Sequence, residues 1–236
     1  MKDNIFDKLK KIKTDLQNKC TICNHTGKVD GKDCACVIKF DFYVEMCVSG
    51  IPREFWDLTV DNWQGDRVVF SLISSYIKNI DSAYDKGYGF ILSGGSGVGK
   101  DLLIIYILKE AIRKKYSVKV ISMSELVDFI IRMRDKQSYE EYDMKIKTTD
   151  FLLISSLGLE YRPNSLGVMI LSKFITLIKF RKSNLLPTFI TTSLTKKDFN
   201  SIYSSILSDL FLERNFVTVS GDNYRENNND PFGFNL

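Results

Sequence analysis

Residues Gly94-Gly-Ser-Gly-Val-Gly-Lys-Asp101 follow the apolar run Phe90-Ile-Leu92 and have the make-up of a loop that wraps phosphate. The stretch Gly94, Gly95, Ser96, Gly97, Val98 and Gly99 lets backbone N–H groups turn toward an anion. The helix that follows adds its positive end, and Lys100 brings a point charge to the outer phosphates. ATP or ADP with Mg²⁺ is the ligand such a loop takes. One letter departs from the pattern: Asp101 stands where a Ser or Thr hydroxyl ordinarily holds Mg²⁺. Two roles are open to it. As an oxygen ligand its carboxylate suits Mg²⁺. As a structural acid it favours the positive start of the helix and neutralises Lys100 in an empty loop, because a carboxylate facing phosphate oxygens without metal is repulsive.

Four of the five cysteines form a second constellation, Cys20-Thr-Ile-Cys23 and Cys34-Ala-Cys36. Each short spacing brings two thiolates to one ion from a tight turn. The connector, with Gly27, Asp30 and Gly31, can fold back to close a tetrahedral Zn²⁺ site. One Zn²⁺ per chain is expected at Cys20, Cys23, Cys34 and Cys36. His25, the only histidine, lies in the same loop as a substitute ligand. The bland alternative is four unligated thiols in a linker. Cys47, in Tyr43-Val-Glu-Met-Cys-Val48, reads as a small core hydrophobe.

The elements that must position these groups are legible from periodicity. Ile5, Leu9, Ile12 and Leu16 recur at helical spacing, with Lys8, Lys10, Lys11, Lys13 and Lys19 around them. Residues 37–48 read as a second helix, and Ser49-Gly-Ile-Pro52 marks the end of an N-terminal module over residues 1–50. From residue 51 strands and helices alternate, which predicts a mostly parallel sheet with helices on both faces. Helices are expected over 68–84, 102–115, 166–181 and 196–213, with another starting at a Ser124 cap. Strands are expected over 89–92, 118–122, 151–154 and 188–191. Trp56 and Trp63 should pack on the sheet or frame a base pocket, and residues 227–236 read as a disordered tail.

Composition sets the limits. With 236 residues, 44% of them hydrophobic and 26% charged, the chain can bury one main core and a small appendage. A formal charge of +4 is mild, so nucleic-acid binding would need a local patch. Lys8 to Lys13, Arg132 and Arg134 with Phe40, Phe42 and Tyr43 are the candidates for single-stranded DNA, although their helical spacing assigns those aromatics to a core. The charged start and the lack of an apolar run of roughly 20 residues argue against a secretory signal or a membrane span. A cytoplasmic location is therefore expected, where cysteines are seldom disulfides.

Four phrases in order carry a resemblance. They are the loop itself; Phe151-Leu-Leu-Ile-Ser-Ser-Leu-Gly-Leu-Glu160; Leu186-Pro-Thr-Phe-Ile-Thr-Thr-Ser193; and Ile206-Leu-Ser-Asp-Leu-Phe211 with Gly221-Asp-Asn-Tyr-Arg225. With the lead-in Ile51-Pro-Arg-Glu-Phe-Trp-Asp-Leu-Thr-Val60, they resemble AAA+ helicase loaders of the DnaC/DnaI type and the related IstB-type helper ATPases over residues 51–226. The resemblance implies an α/β fold: an AAA+ P-loop core beside a small N-terminal zinc-binding module. It further implies work on a replicative helicase and single-stranded DNA in phage or bacteria. Arg225 matches a C-terminal sensor arginine and joins the loop as a candidate phosphate contact.

The departures from that family fall where catalysis happens. Its acidic pair after the buried strand corresponds to Ser155 and Ser156, its sensor Asn to Ser193, and its arginine finger to the pair Ser208-Asp209. An arginine finger alone is worth about 10³–10⁵ in rate, so no catalytic residue is assigned. The expected protein is a pseudo-ATPase adaptor, part of a homo- or hetero-oligomer, that engages a helicase, a replisome protein or an active AAA+ paralogue. The alternatives are a loader that hydrolyses ATP slowly or in trans, and a zinc-containing single-stranded DNA-binding protein.

Overall fold

The computed structural model describes residues 3–60, 63, 65–132, 136–158, 165–207 and 215–223. The chain divides into two compact units, Met1–Trp56 and Asp57–Leu236.

In the first unit, α1 (Asp3–Asn18) packs on α2 (Ala35–Ser49), and between them lies a small antiparallel hairpin of β1 (Lys28–Val29) and β2 (Lys32–Asp33). Leu9, Ile12 and Leu16 are half-buried, while Ile5 at the free end stays exposed. The aromatics face inward as their spacing indicates: Tyr43 is buried, and Phe40 and Phe42 are half-buried. Cys47 is only half-buried, at the rim of this small core. Gly50 ends α2 at φ +81°, its N–H and that of Ile51 bonding the last carbonyls of the helix. The lead-in closes this unit. Trp56 stacks on Tyr43 with ring centroids 5.4 Å apart and donates its indole N–H to the Ile51 carbonyl at 2.9 Å. Trp56 therefore packs on α2 within its own unit.

The second unit is built on five parallel strands: β3 (Ile91–Ser93), β4 (Val118–Ser122), β5 (Phe151–Leu157), β6 (Thr188–Thr192) and β7 (Phe216–Thr218), in the order β4-β5-β6-β3-β7. Phe151, Leu152, Leu153 and Ile154 are all fully buried. Neighbouring residues of a strand point to opposite faces, so both faces of the sheet are covered. Helix α5 (Lys100–Arg113) packs on β4, β5 and β6, with α3 (Arg67–Lys78) against it. A separate cluster joins Leu152, Ile154 and Ile190 to α6 (Met123–Arg132), α7 (Lys136–Thr148), α8 (Ser165–Ser183) and α9 (Lys196–Leu207) through Met123, Leu126, Ile146, Phe174, Ile178 and Phe199.

Several elements differ from the sequence-based expectation. The helix expected over 68–84 breaks at Asn79 into α3 and α4 (Ile80–Asp85). The cap of α6 is Ser122 and not Ser124: the Ser122 hydroxyl accepts the Glu125 N–H while the Glu125 carboxylate accepts the Ser122 N–H, a reciprocal capping box. Strand β5 runs on through Ser155 and Ser156 to Leu157, and α7, β7 and the hairpin had no sequence-based counterpart.

Candidate functional site

Strand β3 lies between β6 and β7, and its carboxyl end delivers the glycine-rich loop into the crevice where ligands of open parallel sheets sit. Three of the loop glycines are favoured by a close neighbour, a left-handed backbone or both. A Cβ at Gly94 would lie 2.5 Å from the Val219 carbonyl oxygen. At Gly97, φ +75°, it would collide with the Asn223 side-chain amide. At Gly99, φ +85°, it would meet the Trp63 ring at 2.6 Å. The indole of Trp63 is stacked on Phe70 and donates to the Asp66 carbonyl at 3.3 Å. The Asp66 carboxylate caps α3 through the amides of Val68 and Val69 and also accepts the Ser220 N–H. The Val69 amide, with those of Ser220 and Val68, outweighs burial and holds the Asp66 carboxyl below its ordinary range. Segments from both ends of this unit thus meet at the loop.

Lys100 opens α5, and its ammonium donates to the loop carbonyls of Gly94 at 2.9 Å and Gly95 at 2.5 Å. Those bonds hold the cation over the loop, where a phosphate oxygen would replace the carbonyls. Asp101, one residue on, accepts the Thr191 hydroxyl at 2.5 Å, and Thr191 Oγ1 in turn accepts the Ser156 N–H at 3.3 Å. The contact depends on an irregularity in β5. Its register against β6 shifts between Ile154 and Leu157, and Ser156 takes a left-handed φ of +59°. Ser155 and Ser156 are half-buried, and Ser193 is exposed beyond the end of β6. Thr191 was not singled out from the sequence. It carried no signal of its own: β6 reads Thr188-Phe-Ile-Thr-Thr192, and nothing in that order marks Thr191 among its three threonines.

The second constellation closes in the first unit. The sulfurs of Cys20, Cys23, Cys34 and Cys36 lie within 4.8 Å of one another, with Cys20 and Cys34 at 3.6 Å and Cys23 and Cys36 at 3.7 Å. Tetrahedral Zn–S bonds of about 2.3 Å place sulfurs about 3.8 Å apart, so the spacing fits. The Gly27 N–H donates to Cys23 Sγ at 3.3 Å, and backbone amides at Cys23 and Ile22 pull the Cys20 thiol down to about 6. Burial, with the crowding sulfurs, pushes the Cys36 thiol up to about 12. Four thiols this close ionise together only around a cation. His25 is outside the cluster: its ring Nδ1 bonds the Gln17 carbonyl at 2.8 Å and the side chain is exposed.

Arg225, Ser208 and Asp209 lie outside the described residues, as do the tail from residue 227, Arg134 and the side chain of Arg132. The basic run Arg113, Lys114 and Lys115 closes α5: Arg113 pairs with Glu110 and Lys114 with Asp81. Among the described residues no helix is long and apolar enough to cross a membrane.

A family model described as IstB-like ATP binding protein matches residues 66–230. The replicative helicase loader DnaI of Bacillus subtilis (strain 168) is 27% identical over 125 residues, which is 53% of this chain and 39% of that protein. The chain thus matches well under half the length of that relative. Among solved structures, a crystal structure of DnaI superimposes with a TM-score of 0.59 at 19% identity, covering 72% of this chain and 95% of that one. The DnaC helicase loader gives 0.57 at 18%, covering 72% and 100%. The replication initiator DnaA bound to AMPPCP and single-stranded DNA gives 0.60 at 15%, covering 73% and 51%. At these identities the likeness is one of fold, and the fold is AAA+.

Proposed function

The chain belongs to the family of IstB-like ATP binding proteins, and from that premise we propose that it is a helicase-loader-like AAA+ adaptor. In this reading it binds ATP or ADP with Mg²⁺ but does not turn the nucleotide over on its own, and it docks on a replicative helicase or an active AAA+ paralogue. The observation that carries the reading is the strand end facing the loop, where Ser155 and Ser156 offer hydroxyls at positions that need carboxylates to order Mg²⁺ and water. Gly94 to Gly99 and Lys100 keep the ground-state contacts to phosphate. The Asp101 carboxylate, next to that lysine, favours a second reading in which turnover is slow or is completed by groups from a partner subunit. The name of the DnaI relative supports the replicative helicase as partner.

The first test is steady-state ATP hydrolysis by the wild-type chain and by Lys100→Ala, alone and with the cognate helicase. The adaptor reading expects no turnover above Lys100→Ala in either case, together with co-elution of chain and helicase. Lys100-dependent hydrolysis by the isolated chain would sink it. Lys100-dependent hydrolysis only with the helicase present supports the second reading.

The Met1–Trp56 unit is read as a zinc module that presents α1 to the partner. Cys20, Cys23, Cys34 and Cys36 would hold one Zn²⁺, which supplies the cross-link that the two-residue strands of the hairpin cannot. Elemental analysis of protein purified without added zinc should give one Zn²⁺ per chain; consistently substoichiometric metal would overturn this part. The single-stranded DNA reading has less support, because Tyr43 is buried and Lys13 sits over the half-buried Phe40 ring at 5.5 Å, in packing and not on an open face.

A further inference from the structure

Asp101, Thr191 and Ser156 form a directed chain of hydrogen bonds across α5, β6 and β5. Because Thr191 Oγ1 accepts the Ser156 N–H, its single proton is turned toward Asp101 Oδ1. Thr191 as a whole is 1% exposed, which leaves water little access to its hydroxyl. The amide that fixes it comes from a left-handed serine, and such backbone persists only where the surroundings over-determine it. A bulge beside a site is a common way of re-aiming one group at another. Among the described residues Thr191 is the one hydrogen-bond partner of this carboxylate, which leaves Oδ2 able to take a cation.

We infer that Asp101 is the cation ligand of the nucleotide site, supplying from the helix the carboxylate that Ser155 and Ser156 do not supply from the strand, and that it makes nucleotide binding obligately dependent on a divalent cation. The inference rests on the nucleotide-binding reading above. Its physical basis is a change of sign. With Mg²⁺ between them, the carboxylate and the phosphate oxygens are fellow ligands of one hard ion. Without the cation they are like charges a few ångströms apart in a partly buried crevice, where repulsion is screened poorly. Thr191 is then a positioning residue: a ligating carboxylate that is itself hydrogen-bonded is held in one orientation, and loss of such a partner costs about 10–100-fold in metal affinity.

The test is calorimetric titration of the full chain with ATP, once in Mg²⁺ and once in EDTA, for the wild type, Asp101→Asn, Thr191→Val and Lys100→Ala. The expected signature is a crossing. Asp101→Asn weakens binding in Mg²⁺ by on the order of tenfold or more, yet strengthens it in EDTA, where the repulsion has gone. Thr191→Val weakens the Mg²⁺ arm and leaves the EDTA arm alone. A gain in EDTA also shows that the Asn variant is folded. If Asp101→Asn moves both arms in one direction, or neither, the carboxylate is not the ligand and the inference fails while nucleotide binding stands. If neither the wild type nor Asp101→Asn shows Lys100-dependent binding in either arm, the nucleotide-binding reading itself fails.

Discussion

At the scale of single residues, two buried cations among the described residues of the second unit have different consequences. Arg181 is fully buried and donates to the Thr188 hydroxyl and to the carbonyls of Ile146, Lys147, Thr149, Asp150 and Pro187, which closes the end of α7 onto the start of β6. Burial pulls its pKa down to about 9, against the pull of Asp150. Replacing it with Leu takes a donor from five carbonyls at once, of which only that of Pro187 keeps a backbone partner, the Leu152 N–H, and we expect a loss of about 3 kcal/mol or more in urea unfolding. A loss under about 1 kcal/mol would mean that the carbonyls find other donors. Lys109 is the opposite case, a lysine on the buried face of α5 that donates to the Leu58 carbonyl. Desolvation, aided by Arg113, lowers its pKa from 10.5 to about 8. The folded state therefore releases this proton before the unfolded state does, so stability should rise as pH climbs from about 8 toward 10.5. Thermal melts of the wild type and Lys109→Met across that range should differ in slope. Parallel curves would show that the lysine keeps its proton.

At the scale of elements, what was legible in the sequence follows from how each element is buried. Strand β4 was readable to the residue, and β6 and the first half of β5 nearly so: Phe151-Leu-Leu-Ile154 is the run of apolar letters that a strand covered on both faces gives, while the β-branched Val118, Val120, Ile121, Thr188 and Ile190 mark the other two. The second half of β5 was not, since Ser155 and Ser156 read as the loop after a strand. Helix α7 was missed because its sequence, Lys136-Gln-Ser-Tyr-Glu-Glu-Tyr-Asp-Met-Lys-Ile-Lys-Thr148, has few apolar letters for a stripe; Ile146 is its one residue in the buried core. The candidate site divides in the same way. The loop and the cysteine pairs are contiguous motifs and could be named in advance. Thr191 is 90 positions from Asp101, and their meeting depends on strand order and on a bulge that one sequence does not display. The cap of α6 slipped by two residues because both Ser122 and Ser124 precede an apolar run, and Glu125 completes a box only with Ser122. Ser122→Ala should therefore cost about 1 kcal/mol and Ser124→Ala clearly less. Equal losses in denaturant unfolding would reject this assignment.

At the scale of the molecule, the family match and the likeness in fold bear out the resemblance to DnaC/DnaI-type and IstB-type proteins read from four separated phrases. The division at Trp56 and Asp57 gives the chain two units with different sources of stability. The second has a large apolar core. The first has a small one whose buried cluster of Cys23, Cys34 and Cys36, with Leu16, Cys20 and Val37 against it, coincides with the proposed metal ligands. A strong chelator, or Cys34→Ser, should melt the first unit and leave the second folded. Limited proteolysis should then cut within residues 1–56 and yield a resistant fragment starting near residue 57. Loss of both units together would refute their independence.

The close packing at Gly94, Gly97 and Gly99 bears on how such a loop ages. In a lineage that had stopped using nucleotide, the Val219 carbonyl at Gly94 and the left-handed backbone at Gly97 and Gly99 would still disfavour side chains at those three positions, so selection for folding alone would keep most of the motif in place. Gly95, where a Cβ would find only ordinary contact at 3.6 Å, is under no such restraint. Drift at that position, and not survival of the other glycines, is therefore the historical record of whether descendants of this chain went on binding a ligand.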